Sequence, residues 1–392
     1  MSTPASFDVA VVGAGPAGLA AAIALAREGV ATALVTGPRR AMDHRTTALM
    51  EGSVRFLKAY DLWDRLEPHT APLRDLRIVD ATRRLVRAPE VKFRASEIGL
   101  DAFGHNIEND SLRDALLTAA AETPGLTLIE ASATGHHLEG DRIEISLDDG
   151  SRLHARLAVA ADGRKSRMRE AAGIAVRARA YPQVALTFTV THTRGHEEVS
   201  TEFHTEHGPF TLVPLPGDRS SIVCVVSEVE AVRLLGLETA ELARELERRA
   251  SSLLGAMTLE AGRGAFPLGA ETAEALTAPR LALMAEAAHV MPPIGAQGLN
   301  LGLRDAEGLV SLAARAVQTC EDPGGEALLA RYAAGRKRDI DSRMLAVDVL
   351  NRSLLSDFVP VQGLRGLGLY LMQNVGPLRR GLMRLGAGLR AA

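Results

Sequence analysis

An uninterrupted apolar run, Val9-Ala10-Val11-Val12, leads straight into Gly13-Ala14-Gly15-Pro16-Ala17-Gly18, and an alanine-rich stretch follows. This order constrains the fold more than any other feature of the chain. A strand that is apolar on both faces belongs in a parallel sheet covered on both sides. Pro16 suits the first turn of a helix, where its missing N–H has no partner to lose. That helix, apolar nearly all round to about residue 28, is expected to be buried. Gly13 permits a tight turn, Gly15 lets a ligand approach the backbone, and Gly18 lets helix close on strand. The free N–H groups at the helix start then face an anion, a dinucleotide pyrophosphate being the expected one. Ala17 lies inside the same turn. A glycine turn without a ligand is the competing reading.

A chain of 392 residues with 46% hydrophobic and 24% charged residues has the composition of an ordinary globular protein of two to three domains. A net charge of -3 gives no whole-molecule attraction to nucleic acid. Cys224 and Cys320 lack CxxC spacing, which argues against a dithiol centre or a zinc site. No metal-spaced His/Asp/Glu cluster and no Ser-His-Asp arrangement stands out. The N-terminus lacks a signal-peptide pattern and no apolar run is long enough to span a bilayer, so a cytoplasmic location is expected.

Residues 7–36 read as strand, turn, helix and strand. Residues 73–100 suggest a hairpin, with Leu76-Arg77-Ile78-Val79-Asp80 and Arg84-Leu85-Val86-Arg87 as its arms. A helix is expected at 111–121 and strands at 126–129 and 142–145. Between residues 183 and 226, short β-rich runs separated by Gly, Pro and charges suggest a mostly antiparallel sheet. Residues 238–249 form a charged helix whose face is read as solvated. Two long helices are expected at 297–319 and 326–348. The second strand ends in Thr36, where a dinucleotide fold usually places an acid against the ribose. Thr36 offers only a hydroxyl.

Two further segments join the first. Asp162-Gly163-Arg164-Lys165-Ser166-Arg167-Met168-Arg169 follows the buried-looking run Leu157-Ala158-Val159-Ala160-Ala161. Ala285-Glu286-Ala287-Ala288-His289 then leads through Pro292-Pro293-Ile294-Gly295-Ala296-Gln297-Gly298-Leu299-Asn300 to Asp305. Together the three segments resemble the class A flavoprotein monooxygenases. Arg45-Thr46-Thr47-Ala48-Leu49, the tract 292–302 and Leu350-Asn351-Arg352-Ser353 are similar to the ubiquinone-biosynthesis hydroxylases of 2-polyprenyl-6-methoxyphenol type.

The resemblance implies an α/β fold. A Rossmann-like FAD-binding domain of glutathione-reductase/p-hydroxybenzoate-hydroxylase type would be assembled from residues 1–72, 102–178 and 275–350. An inserted, mostly antiparallel substrate domain would take 73–101 and 179–274, and 351–392 would be a helical C-terminus. It implies FAD as cofactor, NAD(P)H or another electron donor and O2 as co-substrates, and hydroxylation of a polyprenylated phenol through a flavin C4a-hydroperoxide. Other quinone-biosynthesis proteins are implied as partners. By the same resemblance Glu286 replaces the aspartate that meets the ribityl chain, and Ala285 and Ala296 replace glycines. Arg45 falls where the family contacts the FAD phosphates, with a surface arginine as the other reading. Asn109 falls where the family has a polar side chain near the flavin, and Asp162 is a polar anchor for FAD or else a helix cap. Pro292, Pro293 and Gly295 are expected beside the flavin ring. The N–H groups of the helix starting near Gln297, Gly298, Leu299 and Asn300 would stabilise charge on the reduced flavin.

His289 reads as a hydrogen-bonded structural histidine. In the tail, Leu378, Leu382, Leu385 and Leu389 share one helical face apart from Arg379, Arg380, Arg384 and Arg390. Such a helix either lies on an anionic membrane, on the inner face, or docks on the parent domain. Two rivals share the fold: a prenyl reductase, and a non-catalytic, membrane-docked subunit that retains FAD. A halogenase is excluded because Trp63 is the sole tryptophan.

Overall fold

A computed structural model describes residues 5–38, 43–82, 89–206, 208–292, 295–355 and 375–389. The expected start of the chain is present as a strand Ala5–Val12, a helix Pro16–Arg27 and a strand Thr32–Val35. The strand lies at the centre of a parallel array. Its neighbours are Arg152–Ala160 on one side and Thr32–Val35 on the other, with Leu281–Leu283 and Leu126–Ile129 beyond them. Val9 and Val11 face one core with the helices Pro16–Arg27, Asn109–Ala121 and Gln297–Gln318. Ala10 and Val12 face a second core with Ile143, Ile145 and Leu147 of an antiparallel extension. Burial on both faces is why this strand carries no alternation.

The second sheet has nine strands. Its neighbours pair antiparallel except Asp75–Asp80, which lies parallel to Val199–Thr205. The mostly antiparallel expectation therefore holds, and the hairpin joins this sheet. The hairpin's return arm is Val91–Arg94, while the expected arm at Arg84–Arg87 lies outside the described residues. One face of the sheet presents Leu186, Phe188, Val190, Phe210, Leu212, Ile222 and Cys224 to the helices Glu228–Leu235 and Thr239–Arg249. The other face looks toward the parallel domain. A small three-stranded sheet of Thr46–Met50, Gly104–Glu108 and Thr70–Pro72 stands between them.

The last expected helix runs on to residue 355, as Glu326–Leu355. The tail forms the helix Gly376–Gly386 despite its glycines. Met383 and Ala387, with Leu389 as the one member of the leucine face beside them, pack it against Val91, Phe93, Ile98 and Phe103. Arg379 adds bonds of 2.6 and 2.7 Å to Glu97 and stacks on Phe93 at 4.6 Å. The docking reading of the tail is thus realised, with Leu378, Leu382 and Leu385 left exposed. Among the described residues, no helix is long and apolar enough to cross a membrane.

Candidate active site

Three glycines open the site, and they are glycines for different reasons. Gly13 has a φ of +115°, and a Cβ there would stand 2.3 Å from the Ala161 carbonyl oxygen. A Cβ at Gly18 would stand 2.1 Å from the Gly13 oxygen. These two positions are small because the protein crowds them. Gly15, with a φ of -73°, has nothing within 4 Å of its missing Cβ. The helix Pro16–Arg27 begins there with no side-chain cap and no acid in its first turn. An open approach to unpaired N–H groups is what a pyrophosphate needs.

The crowding of Gly13 brings the second segment to the first. Asp162 follows the strand Arg152–Ala160, and its Oδ2 accepts the Met168 N–H at 3.3 Å. The helix Arg167–Ala171 is capped by Ser166, whose Oγ accepts the Arg169 N–H at 3.0 Å. Ser166 is the N-cap, and Asp162 adds a second bond to the first turn of the same helix, so the cap reading of Asp162 holds for one of its oxygens. Asp162 Oδ1 is left buried without a hydrogen-bond partner, an arrangement costing about 1–3 kcal/mol unless something else donates to it. Arg169 is buried and donates to the Ala287 carbonyl and to the Arg164 carbonyl, each at 3.0 Å. It ties the second segment to the third.

In the third segment Ala285 and Ala296 have φ of 51° and 52°. Both alanines occupy the left-handed region, at a cost of about 1–2 kcal/mol each. Asp305 holds the first in place. Its Oδ2 accepts the Ala285 N–H at 2.9 Å and lies 2.6 Å from His289 Nε2, while its Oδ1 accepts from Arg336 Nε at 2.7 Å. Burial pushes the Asp305 carboxyl up, but His289 and Arg336 outweigh it and hold it below its usual value. His289 is thus the buried structural histidine the sequence suggested. Asp305 as its partner was not legible, because only the fold brings residues 289 and 305 together.

Glu286 projects from the same turn and is exposed. Arg45 is held protonated first by its hydrogen bond to Asp43, with a further contribution from Glu286. Arg164 is held likewise by Glu271 first and then by Glu286. The helix Gln297–Gln318 starts at Ala296 with no side-chain cap and no acid in its first turn. Pro292 is buried and Gly295 exposed just before it, whereas Pro293 lies outside the described residues. A Cβ at Gly298 would meet nothing within 4 Å.

The remaining expected contacts have varied fates. Arg45 forks onto Asp43 at 2.7 and 2.6 Å and stacks over Phe266 at 4.7 Å. Asn109 donates to Asp43 at 3.0 Å and accepts from Thr47 at 2.6 Å, so the three residues share one polar knot. The Thr36 hydroxyl points back to the Ile129 carbonyl at 3.3 Å. Gln297 donates to the Gly295 carbonyl at 2.7 Å and accepts from Arg343. Leu299 packs on the first core, and Ala17 is buried beside Gly302.

Asn300 differs from expectation. Its amide donates to the carbonyls of Ala48 and Ala296 at 2.7 and 2.6 Å and accepts from Met50 N–H and Ser53 Oγ at 2.8 and 2.7 Å. That exhausts an amide's capacity, so the side chain staples helix to strand and only its backbone remains for a cofactor.

Above the cradle lies the free face of the large sheet. Thr187, Val223, Thr211, Glu202 and Ile78 are cross-strand neighbours in one row over five strands. All five are half-buried; Leu186, Phe188, Ile222, Cys224, Phe210, Leu212 and Phe203 between them are packed into the helix-covered core, and Ile78 rests on the core under the tail helix. The small sheet meets this face through Thr46 Oγ1 to Ser221 Oγ at 2.7 Å and Asn106 Nδ2 to the Pro214 carbonyl at 2.9 Å. Thr187 Oγ1 is buried with no partner. A Cβ on the neighbouring Gly264 would meet both Thr187 Oγ1, at 2.3 Å, and the Phe266 ring, at 2.6 Å, so this hydroxyl lies close to the ring that Arg45 covers.

Two uncapped helix starts and an unpaired buried acid, roofed by a sheet with a half-open face, define a dinucleotide-dependent oxidoreductase. The FAD binding domain family matches residues 6–344, and the chain belongs to it. Within it the chain is similar to ubiquinone hydroxylase UbiL of Rhodospirillum rubrum, at 36% identity over 96% of this chain and 88% of that one. It is 30% identical to 3-demethoxyubiquinol 3-hydroxylase of Escherichia coli, over 97% of this chain and 98% of that one. Among solved structures, p-nitrophenol 4-monooxygenase PnpA of Pseudomonas putida superposes with a TM-score of 0.79 at 17% identity, covering 99% of this chain and 100% of that one. HpxO of Klebsiella pneumoniae, complexed with FAD and uric acid, gives 0.77 at 18% identity, covering 97% and 96%. The protein is an FAD-dependent aromatic-ring monooxygenase by family, and FAD is its cofactor.

Proposed function

We propose that this chain hydroxylates the ring of a polyprenylated phenol in ubiquinone biosynthesis, with NAD(P)H as electron donor. The observation that carries the reading is the partnerless Thr187 hydroxyl beside Phe266 and Arg45, on the sheet face that roofs the cradle. FAD bound below supplies the electron transfer and oxygen activation that side chains cannot. Residues 1–72, 102–178 and 275–350 form the FAD domain in this reading, and 73–101 with 179–274 form the substrate domain. The uncapped N–H groups at Gly15 would hold the pyrophosphate, Asp162 Oδ1 would take a hydroxyl or N–H of the cofactor, and the Gln297 helix start would stabilise charge on the flavin. Thr187 orients the phenolic oxygen, and Val223 and Thr211 beside it accommodate the apolar part of the substrate.

The substrate's prenyl tail resides in a bilayer, and the tail helix offers a matching surface. Leu378, Leu382 and Leu385 are exposed beside exposed Arg380 and Arg384. Apolar side chains rimmed by cations suit an anionic lipid face. The triple substitution of these leucines by serine is expected to abolish cosedimentation with anionic vesicles while flavin content is kept.

The test of the catalytic reading is complementation of quinone-hydroxylase deletion strains with mass analysis of the accumulated intermediates. Loss of an accumulated precursor and appearance of a product one oxygen heavier are expected. A protein that binds FAD yet is never reduced by NADH or NADPH, and complements no strain, favours the non-catalytic subunit instead.

A further inference from the structure

We propose that His137, Glu139, Glu144 and His154 form a binding site for one zinc-like divalent cation, on the antiparallel edge of the FAD domain and away from the flavin cradle. The strands Ala133–Glu139, Arg142–Leu147 and Arg152–Ala160 form a meander in which Glu144 pairs directly with His137 on one side and His154 on the other. Side chains at paired positions share a sheet face, so an imidazole, a carboxylate and a second imidazole stand in one row. Glu139 reaches in from two residues beyond His137, on the same face.

The distances match the pattern. His154 Nε2 lies 2.8 Å from Glu139 Oε2 and 3.0 Å from Glu144 Oε2, and the ligand atoms of the three residues fall within 4.8 Å of one another. His137 Nε2 lies 3.5 Å from Glu144 Oε1. Glu139, Glu144 and His154 already converge as three zinc ligands, and the exposed His137 would swing in from beside Glu144 to complete a tetrahedral set.

Glu144 supplies an independent pointer. Only 5% of it is exposed, and its Oε1 is buried without a hydrogen bond. A buried carboxylate needs pairing to offset its lost hydration. Among the described residues the fixed cation near this oxygen is Arg152, whose guanidinium stands off at 3.3 Å on a side chain that is 61% exposed. A divalent ion held by the four residues would satisfy Oε1 and displace that exposed arginine. Bound there, it would fasten three strands together, the last of which leads directly into Asp162.

The experiment is titration of the chelator-treated flavoprotein with zinc alone, read by calorimetry and by metal analysis after gel filtration. One zinc per chain is expected, with weaker binding in acid because the ligands must be deprotonated. Glu144→Gln and His154→Ala should each weaken it by at least about tenfold. Arg152→Ala, which removes a competing cation, should tighten it. Glu139→Ala, on an exposed side chain, repeats the test without disturbing the buried part, and retained flavin absorbance certifies the fold. Absence of stoichiometric zinc, or zinc uptake indifferent to Glu139 and His154, overturns the proposal.

Discussion

Gly15 lacks a side chain for a reason that lies outside the polypeptide. No described residue stands within 4 Å of where its Cβ would be, and its φ is one any residue adopts. Gly15→Ala is therefore expected to change the stability of the cofactor-free protein by less than about 0.5 kcal/mol, yet to weaken FAD binding by tenfold or more. Gly13→Ala meets the Ala161 carbonyl and a left-handed backbone, so it should cost more than about 2 kcal/mol in stability as well. Apo-protein melting together with flavin titration separates the two effects, and equal behaviour would refute the distinction. Ala296 is the reverse case: at a φ of 52° the side chain is a burden. Ala296→Gly should stabilise the protein by about 1 kcal/mol in thermal melts. The glycine pattern was legible because turn, ligand approach and helix contact lie within six consecutive residues. The fate of Asn300 was not, because its four partners come from Ala48, Met50, Ser53 and Ala296. No local motif reports where a distant strand will arrive.

Helices and strands were readable from periodicity and punctuation, and the joints between them were not. The helix Gln297–Gln318 is joined to the turn Ala285–Ala287 by Asp305, and to the helix Glu326–Leu355 by Arg336 on the same carboxylate. Removing the charge leaves His289 and Arg336 buried against a neutral group, so Asp305→Asn should cost about 3 kcal/mol or more by chemical denaturation at neutral pH. The folded carboxyl is held below its ordinary value. Its contribution is then complete above about pH 4 and is lost as pH falls through the folded value. Wild type and variant should accordingly converge in stability only as pH falls through the lowered value of the folded carboxyl, and a gap that stays constant would assign the loss to packing instead.

At the scale of the whole molecule, the large sheet is completed by two separate stretches of chain. Ile78 of the hairpin extends the row of Thr187, Val223, Thr211 and Glu202 but packs on the core under the tail helix, and the hairpin joins the sheet only because Asp75–Asp80 pairs with Val199–Thr205. Composition announced a β-rich insertion but not its register, and register decides which residues look down on the cofactor. Thr187→Val keeps the shape and removes the hydroxyl. Loss of one neutral hydrogen bond predicts a three- to tenfold rise in KM for the phenol. Flavin affinity should be unchanged, and an unchanged KM would remove Thr187 from the site.

The contact of Gly13 with Ala161 also bears on biogenesis. In the proposed FAD site neither residue completes the seat alone, and its last wall comes only when Asp305 fastens the Ala285 turn. A nascent polypeptide emerging from the ribosome thus has no place for FAD through most of its synthesis. Capture of the yellow prosthetic group must wait until about three-quarters of translation is done, and no amino-terminal fragment ending earlier should ever be coloured.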